Sequence, residues 1–267
     1  MAQTTMLGMA ALASLLPAAL FSMRRTAQGR DGVYWLLLIV AVAGPAAFVA
    51  GGAGADWKTG FSATLWVCVS VSMVLFAILA LLVPQAWRLT PLLLPYMALL
   101  ALFALIFSSA RGKPLGAAAP SVWIDLHIVV SVITYGLLTM AAVAGLAAFM
   151  QERALKTKRP TALTRMLPSL ADSERLSLIL LLGSEIILGL GLATGMAVEY
   201  FSIGALLRLD HKILFSSLAF LVIAGLLLAH RFIGVRGRAA ARFVLLSYLL
   251  LTLAYPGVKF VTEVLMN

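Results

Sequence analysis

Apolar residues in this chain run together in long stretches instead of alternating with polar ones. Eight stretches reach or approach the roughly 20 residues that a helix needs to cross a hydrocarbon core. They lie near positions 4–23, 33–53, 61–83, 92–109, 123–150, 176–197, 213–230 and 243–265. The fourth is short and is interrupted by Pro95, and the fifth is long enough to tilt or protrude. The pattern predicts an all-α, polytopic membrane helical bundle of about eight transmembrane helices, forming one integral-membrane domain over 1–267. The longest connection, about 25 residues, leaves no room for a soluble domain. The first stretch has no basic residue before it, and Arg24 and Arg25 follow it. It therefore reads as a retained helix, not a signal peptide.

Composition supports the same reading. Of 267 residues, 63% are hydrophobic and only 11% charged, with a mean hydropathy of +1.05. Soluble domains are about half apolar and about a quarter charged. A soluble enzyme, a disordered tail and a DNA-binding domain are excluded. The net charge of +10 would suggest nucleic acid in a soluble protein. Here the basic residues sit in short loops and act as topology signals. The first, third, fifth and seventh loops hold 3, 1, 6 and 4 lysines and arginines, against 6 for the termini and even loops together. The odd loops are expected inside and both termini outside, in a multi-pass protein of a bacterial inner membrane. Lys156–Arg159 and Arg236–Arg238 are the runs expected to touch anionic headgroups. Cys68 is the single cysteine, so there is no disulfide framework and no C-x-x-C-H haem attachment. No nucleotide-binding glycine loop, H-E-x-x-H or G-x-S-x-G appears. No strong internal repeat points to a transporter.

Three histidines remain as candidate chemistry. His127 opens the fifth helix and His211 the seventh, both on the expected outer side, whereas His230 closes the seventh on the inner side. His211 and His230 are separated by 19 residues, about 28 Å of helix, and cannot share a metal. His127 and His211 lie at similar depth. Two imidazoles at one rim suit bis-histidine ligation of a non-covalent, b-type haem, with apolar walls for its faces and cations for its propionates. Arg208 and Lys212 flank His211, and Lys259 is a further cation near that rim. The loop 198–209, with Tyr200 and Phe201, is expected to lie along the membrane surface over a flat ligand. Two plainer accounts stand beside this one. Interfacial histidines often snorkel, and Asp125, Glu199 and Asp210 leave zinc open.

The fifth helix carries His127, Ser131, Thr134, Tyr135 and Thr139 on one face, expected to point into the bundle. Ser and Thr there can bond to their own backbone or hold helices together, and Tyr135 is a candidate pocket wall. Glu185 lies near the middle of the sixth helix, where an ionisable group is costly and marks function or a hydrogen-bonded structural role. Tyr255, Lys259 and Glu263 fall at i, i+4 and i+8 of the last helix, where Lys259 and Glu263 can pair.

Ordered stretches along 120–265 resemble one family. They are Asp125–Ser131, Tyr135–Leu138 and Gln151–Lys156, then Leu167–Leu170 with Glu174–Leu176 and Leu190–Gly195. Asp210–Lys212, Gly234–Arg238 and Ala254–Phe260 complete the series. Together they resemble the CcsA/HemX-like cytochrome c assembly superfamily, most closely its compact eight-helix YpjD-type branch. The first four helices match in hydropathy alone. The resemblance implies a haem-handling membrane protein without bond-making chemistry of its own, with His127 in the position of an external histidine ligand. It implies cytochrome c maturation components or another membrane protein as partners, besides the lipid bilayer, and no nucleic acid. It also places His230 where some members carry a histidine at the end of the corresponding helix. Haem-handling members carry W-G-x-x-W-x-W-D-P-K in the outer loop. This chain departs from that pattern. Residues 198–212 contain no tryptophan, Asp210 and Lys212 remain, and His211 stands in place of the proline. The alternative expectation is a membrane scaffold or ion-transport accessory protein that has lost haem handling, motivated by the missing tryptophans and by Glu185.

Overall fold

The computed structural model describes residues 2–24, 30–52, 60–108, 121–204 and 210–266. All regular structure among them is helical, and eight helices are long and apolar enough to cross a membrane. Helices satisfy their backbone groups internally, which lipid requires. Large side chains such as Leu36, Leu82, Ile186 and Leu221 remain exposed on the bundle surface, where acyl chains take the place of water.

The front half consists of α1 (Ala2–Arg24), α2 (Gly32–Gly52), α3 (Phe61–Leu82) and α4 (Thr90–Ile106), the last entered through a 3₁₀ turn at Ala86–Leu89. α1 packs on α2 and α4, and α3 packs on both of those. The α1–α2 crossing depends on Gly44, where a Cβ would fall 1.9 Å from the Ser14 hydroxyl. Small residues of this kind let backbones approach where no hydrophobic force drives helices together. Pro95 is accommodated inside α4, so the fourth helix is not interrupted as the sequence suggested.

The back half is built on α5 (Ser121–Thr157), which packs along α7 (Leu170–Ile203) and α9 (Gly237–Thr252), with α8 (His211–Phe232) against α7 and α9. A short α6 (Ala162–Met166) lies between α5 and α7. The two halves meet mainly where α3 packs on α5. Trp66, Met73, Phe76, Tyr135 and Leu138 are fully buried in the shared core.

α5 and α7 each run beyond a single membrane crossing. α7 continues to Ile203 and ends on Gly204, whose φ of 73° gives the left-handed cap favoured by glycine. Tyr200 and Phe201 therefore stand on a helix, not on the expected surface loop, and 205–209 lie outside the described residues. The last membrane segment also differs from a simple helix. It passes through π-helical turns at Leu253–Gly257 and Val261–Leu265, separated by α10 (Val258–Phe260). Pro256 lacks the amide proton that would continue the ladder, consistent with a local change of winding.

The motif at the far end of α5 acquires a structural role. The Gln151 amide donates to the carbonyls of Thr164 (2.8 Å) and Pro168 (2.7 Å), tying the α6 turn to α5. Glu152 pairs with Lys156. Glu174 accepts from the Gly237 amide at 2.9 Å, placing an acidic group at the start of α9.

Candidate functional site

His127 lies one and a half turns into α5, where that helix packs against the last turns of α7. Its ring is partly buried, and its Nδ1 lies 3.2 Å from the Thr194 hydroxyl oxygen. That hydroxyl spends its own proton on α7, donating to the carbonyls of Leu190 (3.0 Å) and Gly191 (3.1 Å). When Nδ1 donates to the Thr194 oxygen, Nε2 carries the lone pair. This is the arrangement in which a hydrogen bond on one ring nitrogen prepares the other as a ligand. Gly195 makes room for the ring, since a Cβ there would lie 3.1 Å from His127 Cε1.

An aromatic wall stands next to this seam. One turn before His127, Trp123 stacks on Phe201 of α7, with ring centroids 6.1 Å apart and planes inclined by 29°. Tyr200 meets the same Phe201 edge-on at 5.8 Å. The absence of tryptophan from 198–212 thus does not leave this end without an indole, because α5 supplies one. Only the helical continuation of α7 to Ile203 brings Trp123 and Phe201 together, and reading 198–209 as a loop hid that pairing.

His211 is differently placed. It begins α8, directly after the N-cap Asp210, whose carboxylate accepts from the His211 amide at 2.6 Å. The imidazole side chain is 81% exposed, with Nδ1 3.5 Å from the same carboxylate. Lys212 is exposed and lies within electrostatic range of both His127 and Lys259. The N-terminus of α8, the α5–α7 seam and the last segment therefore share one end of the bundle. Arg208 falls outside the described residues.

The other predicted residues have partners or places of their own. The Lys259 ammonium donates to the Thr64 hydroxyl at 2.7 Å and lies 5.8 Å over the Tyr255 ring. It also interacts with Glu263, whose carboxylate accepts from the Phe61 amide at 2.6 Å. The last segment is thereby fastened to the start of α3. Tyr135 is fully buried two turns below His127, about 12 Å along the helix. Its hydroxyl accepts from Tyr248 at 3.0 Å, and Tyr248 in turn bonds to Tyr96, so α4, α5 and α9 are held by three phenols. Thr134 and Thr139 donate to backbone carbonyls of their own helix, at 2.8 and 2.7 Å. Glu185 is 8% exposed, and neither of its buried carboxyl oxygens has a hydrogen-bond partner among the described residues. His230 is at the opposite end of α8, its Nδ1 2.8 Å from the Val235 carbonyl. No group of three His, Cys, Asp or Glu side chains converges to hold a metal ion among the described residues.

The profile of the cytochrome C assembly protein family matches residues 57–266, more than three quarters of the chain. The chain belongs to the cytochrome c assembly protein family. The match takes in α3 and α4, and so reaches well before the 120–265 stretch that carries the recognisable motifs. The chain is also 56% identical, over 271 residues and the full length of both, to a protein of Azospirillum brasilense described as an uncharacterized 28.8 kDa protein in the nifR3-like 5' region. No solved structure matches it. Membership and the eight apolar helices together make this a multi-pass membrane protein of the cytochrome c assembly family.

Proposed function

We propose that this protein holds or passes haem at the outer face of a bacterial inner membrane, with His127 and His211 as axial ligands. The observation that carries the reading is the placement of His127, whose Nδ1 lies 3.2 Å from the Thr194 hydroxyl beside the Trp123–Phe201 wall. Haem, when bound, supplies an iron that takes two axial donors and a flat apolar ring bearing two carboxylates. The residues suit that group in kind. His127 offers a neutral nitrogen, Trp123 and Phe201 offer apolar faces, and Lys212 offers a cation. Exposed and at a helix start, His211 has room to turn its ring toward a ligand. Arg208 and Lys259 are the further candidates for the carboxylates, and Lys259 would have to leave Thr64 to serve. The excess of basic residues in the odd loops supports placing the histidine end outside. Protein purified with haem available should show a low-spin bis-imidazole optical spectrum. A wild-type protein without haem, or a spectrum unchanged in both His127→Ala and His211→Ala, would overturn the proposal.

A second reading rests on Glu185. A carboxyl group without partners at mid-membrane depth is costly unless it is protonated or meets an ion. On that reading the protein assists ion movement as an accessory subunit, and Glu185→Gln alters flux in reconstituted vesicles while leaving the haem spectrum intact. Identical flux in the variant and the wild type would remove this reading.

A further inference from the structure

At the end of the bundle away from His127, the front half encloses a cavity between α1, α2 and α4. It contains about 580 Å³ of space between atoms, part of it open to the outside. Its two ends differ in chemistry. Ala18, Leu38 and Leu94, all nearly or fully buried, line the part deeper in the bundle. Tyr34, Arg88 and Arg165 line the part near the helix ends.

The two arginines come from separate elements. Arg88 belongs to the 3₁₀ turn before α4, with its guanidinium 5.8 Å over the Trp87 ring. Trp87 itself packs edge-on against Tyr34 at 5.9 Å. Arg165 belongs to α6 and is exposed. Neither guanidinium has an acidic partner among the described residues, and no carboxylate lines the cavity. The other charges nearby among the described residues are Arg30, which donates to the Ala80 carbonyl at 2.7 Å, and Asp31, which accepts from the Tyr34 amide at 2.9 Å. The mouth is therefore cationic on balance, above an apolar crevice between membrane helices.

We infer that this cavity is a binding site for one anionic phospholipid, its phosphodiester under Arg88 and Arg165 and one acyl chain in the crevice between α1, α2 and α4. Charge complementarity selects the headgroup, because guanidinium forks match phosphate oxygens in shape and charge. The apolar deeper wall selects a chain over a soluble anion. The Tyr34 ring and the indole of Trp87 sit at the level between the two, where amphipathic aromatics are favoured. Unlike a basic loop that only repels or attracts a surface, this site would retain its lipid through purification.

The test uses the full-length protein in a neutral detergent, titrated with phosphatidylglycerol, phosphatidylcholine or inorganic phosphate, with thermal midpoint and native mass spectrometry as readouts. Phosphatidylglycerol should raise the midpoint and add one retained lipid, whereas phosphatidylcholine and inorganic phosphate should do neither. Arg165→Gln, at an exposed position, should weaken phosphatidylglycerol binding about tenfold, the scale of one charge-assisted hydrogen bond. Arg88→Gln/Arg165→Gln should abolish the preference over phosphatidylcholine. Ala18→Phe, which fills the crevice without changing charge, should also release the lipid. An equal shift with inorganic phosphate would make this a soluble-anion site and overturn the inference. So would full phosphatidylglycerol preference in the double-arginine variant, or in Arg165→Gln should the double variant fail to fold. Haem binding should be unaffected by these variants, so this result and the haem proposal stand or fall separately.

Discussion

The α5–α7 seam and the start of α8 each present one histidine at the same end of the bundle, and they are built very differently. At the seam, His127 is partly buried, its Nδ1 is directed at Thr194, and Gly195 leaves space for its ring. At α8, His211 is 81% exposed and meets its neighbour Asp210. Preorganisation is thus concentrated on one side. A ligand already oriented needs no further ordering when a metal arrives, whereas an exposed side chain loses rotamer freedom on binding. If haem is held here, His127 is expected to anchor it and His211 to complete it.

That asymmetry yields a graded set of outcomes. The largest effect is expected from His127→Ala, which removes the oriented imidazole at this end of the bundle; retained haem should fall below detection in the purified protein. His211→Ala should leave haem bound but convert the low-spin spectrum to a high-spin one, and added imidazole should restore the low-spin form. Equal loss of haem in both variants would show that the two sides contribute alike. Loss in His211→Ala with retention in His127→Ala would reverse the assignment.

A smaller effect is expected from Thr194→Val, which keeps the shape of the side chain but deletes the hydroxyl beside Nδ1. Removing outer-shell partners of ligating histidines typically costs 10–100-fold in affinity. Because Thr194 also bonds to its own helix, the lower value, about tenfold, is expected. Thr194→Ser should restore most of it. Unchanged haem affinity in Thr194→Val would show that the tautomer is set by something other than this hydroxyl.

Much of this molecule was legible in its sequence, for physical reasons that also explain the gaps. Uninterrupted apolar runs of this length announce spanning helices, because a helix bonds its backbone within the run while barrel strands alternate apolar and polar positions, and all eight spans appear where hydropathy put them. The polar positions of α5 were legible too: Thr134 and Thr139 satisfy carbonyls on their own helix, as short hydroxyl side chains do. The end of α7 was not. Residues 198–203 are less strongly apolar than the run before them and read as a loop, yet they continue the helix to Gly204. That continuation pairs Trp123 with Phe201, a contact between residues 78 positions apart that no local pattern encodes. Thr194 was visible only as part of a family-like run. Its role depends on facing His127 across a helix seam, which is a matter of packing and not of spacing. The winding at Leu253–Gly257 was equally hidden, so the i, i+4, i+8 reading of Tyr255, Lys259 and Glu263 assumed a regular helix that the structure does not have.

The smallest expected effect is also the most discriminating. At Gly195 an added Cβ would stand 3.1 Å from His127 Cε1, close enough that the ring must give by a few tenths of an ångström. Displacing a side chain from its rotamer costs about 0.5–1 kcal/mol, so Gly195→Ala should weaken haem binding about threefold. Alanine is also the better helix former, by about 1 kcal/mol in a helix interior, so the melting temperature of the haem-free protein should hold or rise. A general packing defect would lower both quantities together, whereas a misplaced ligand lowers affinity alone. Haem affinity that falls while thermal stability is kept would locate the effect in the position of the His127 ring. Affinity that does not change would mean that the seam tolerates the methyl group.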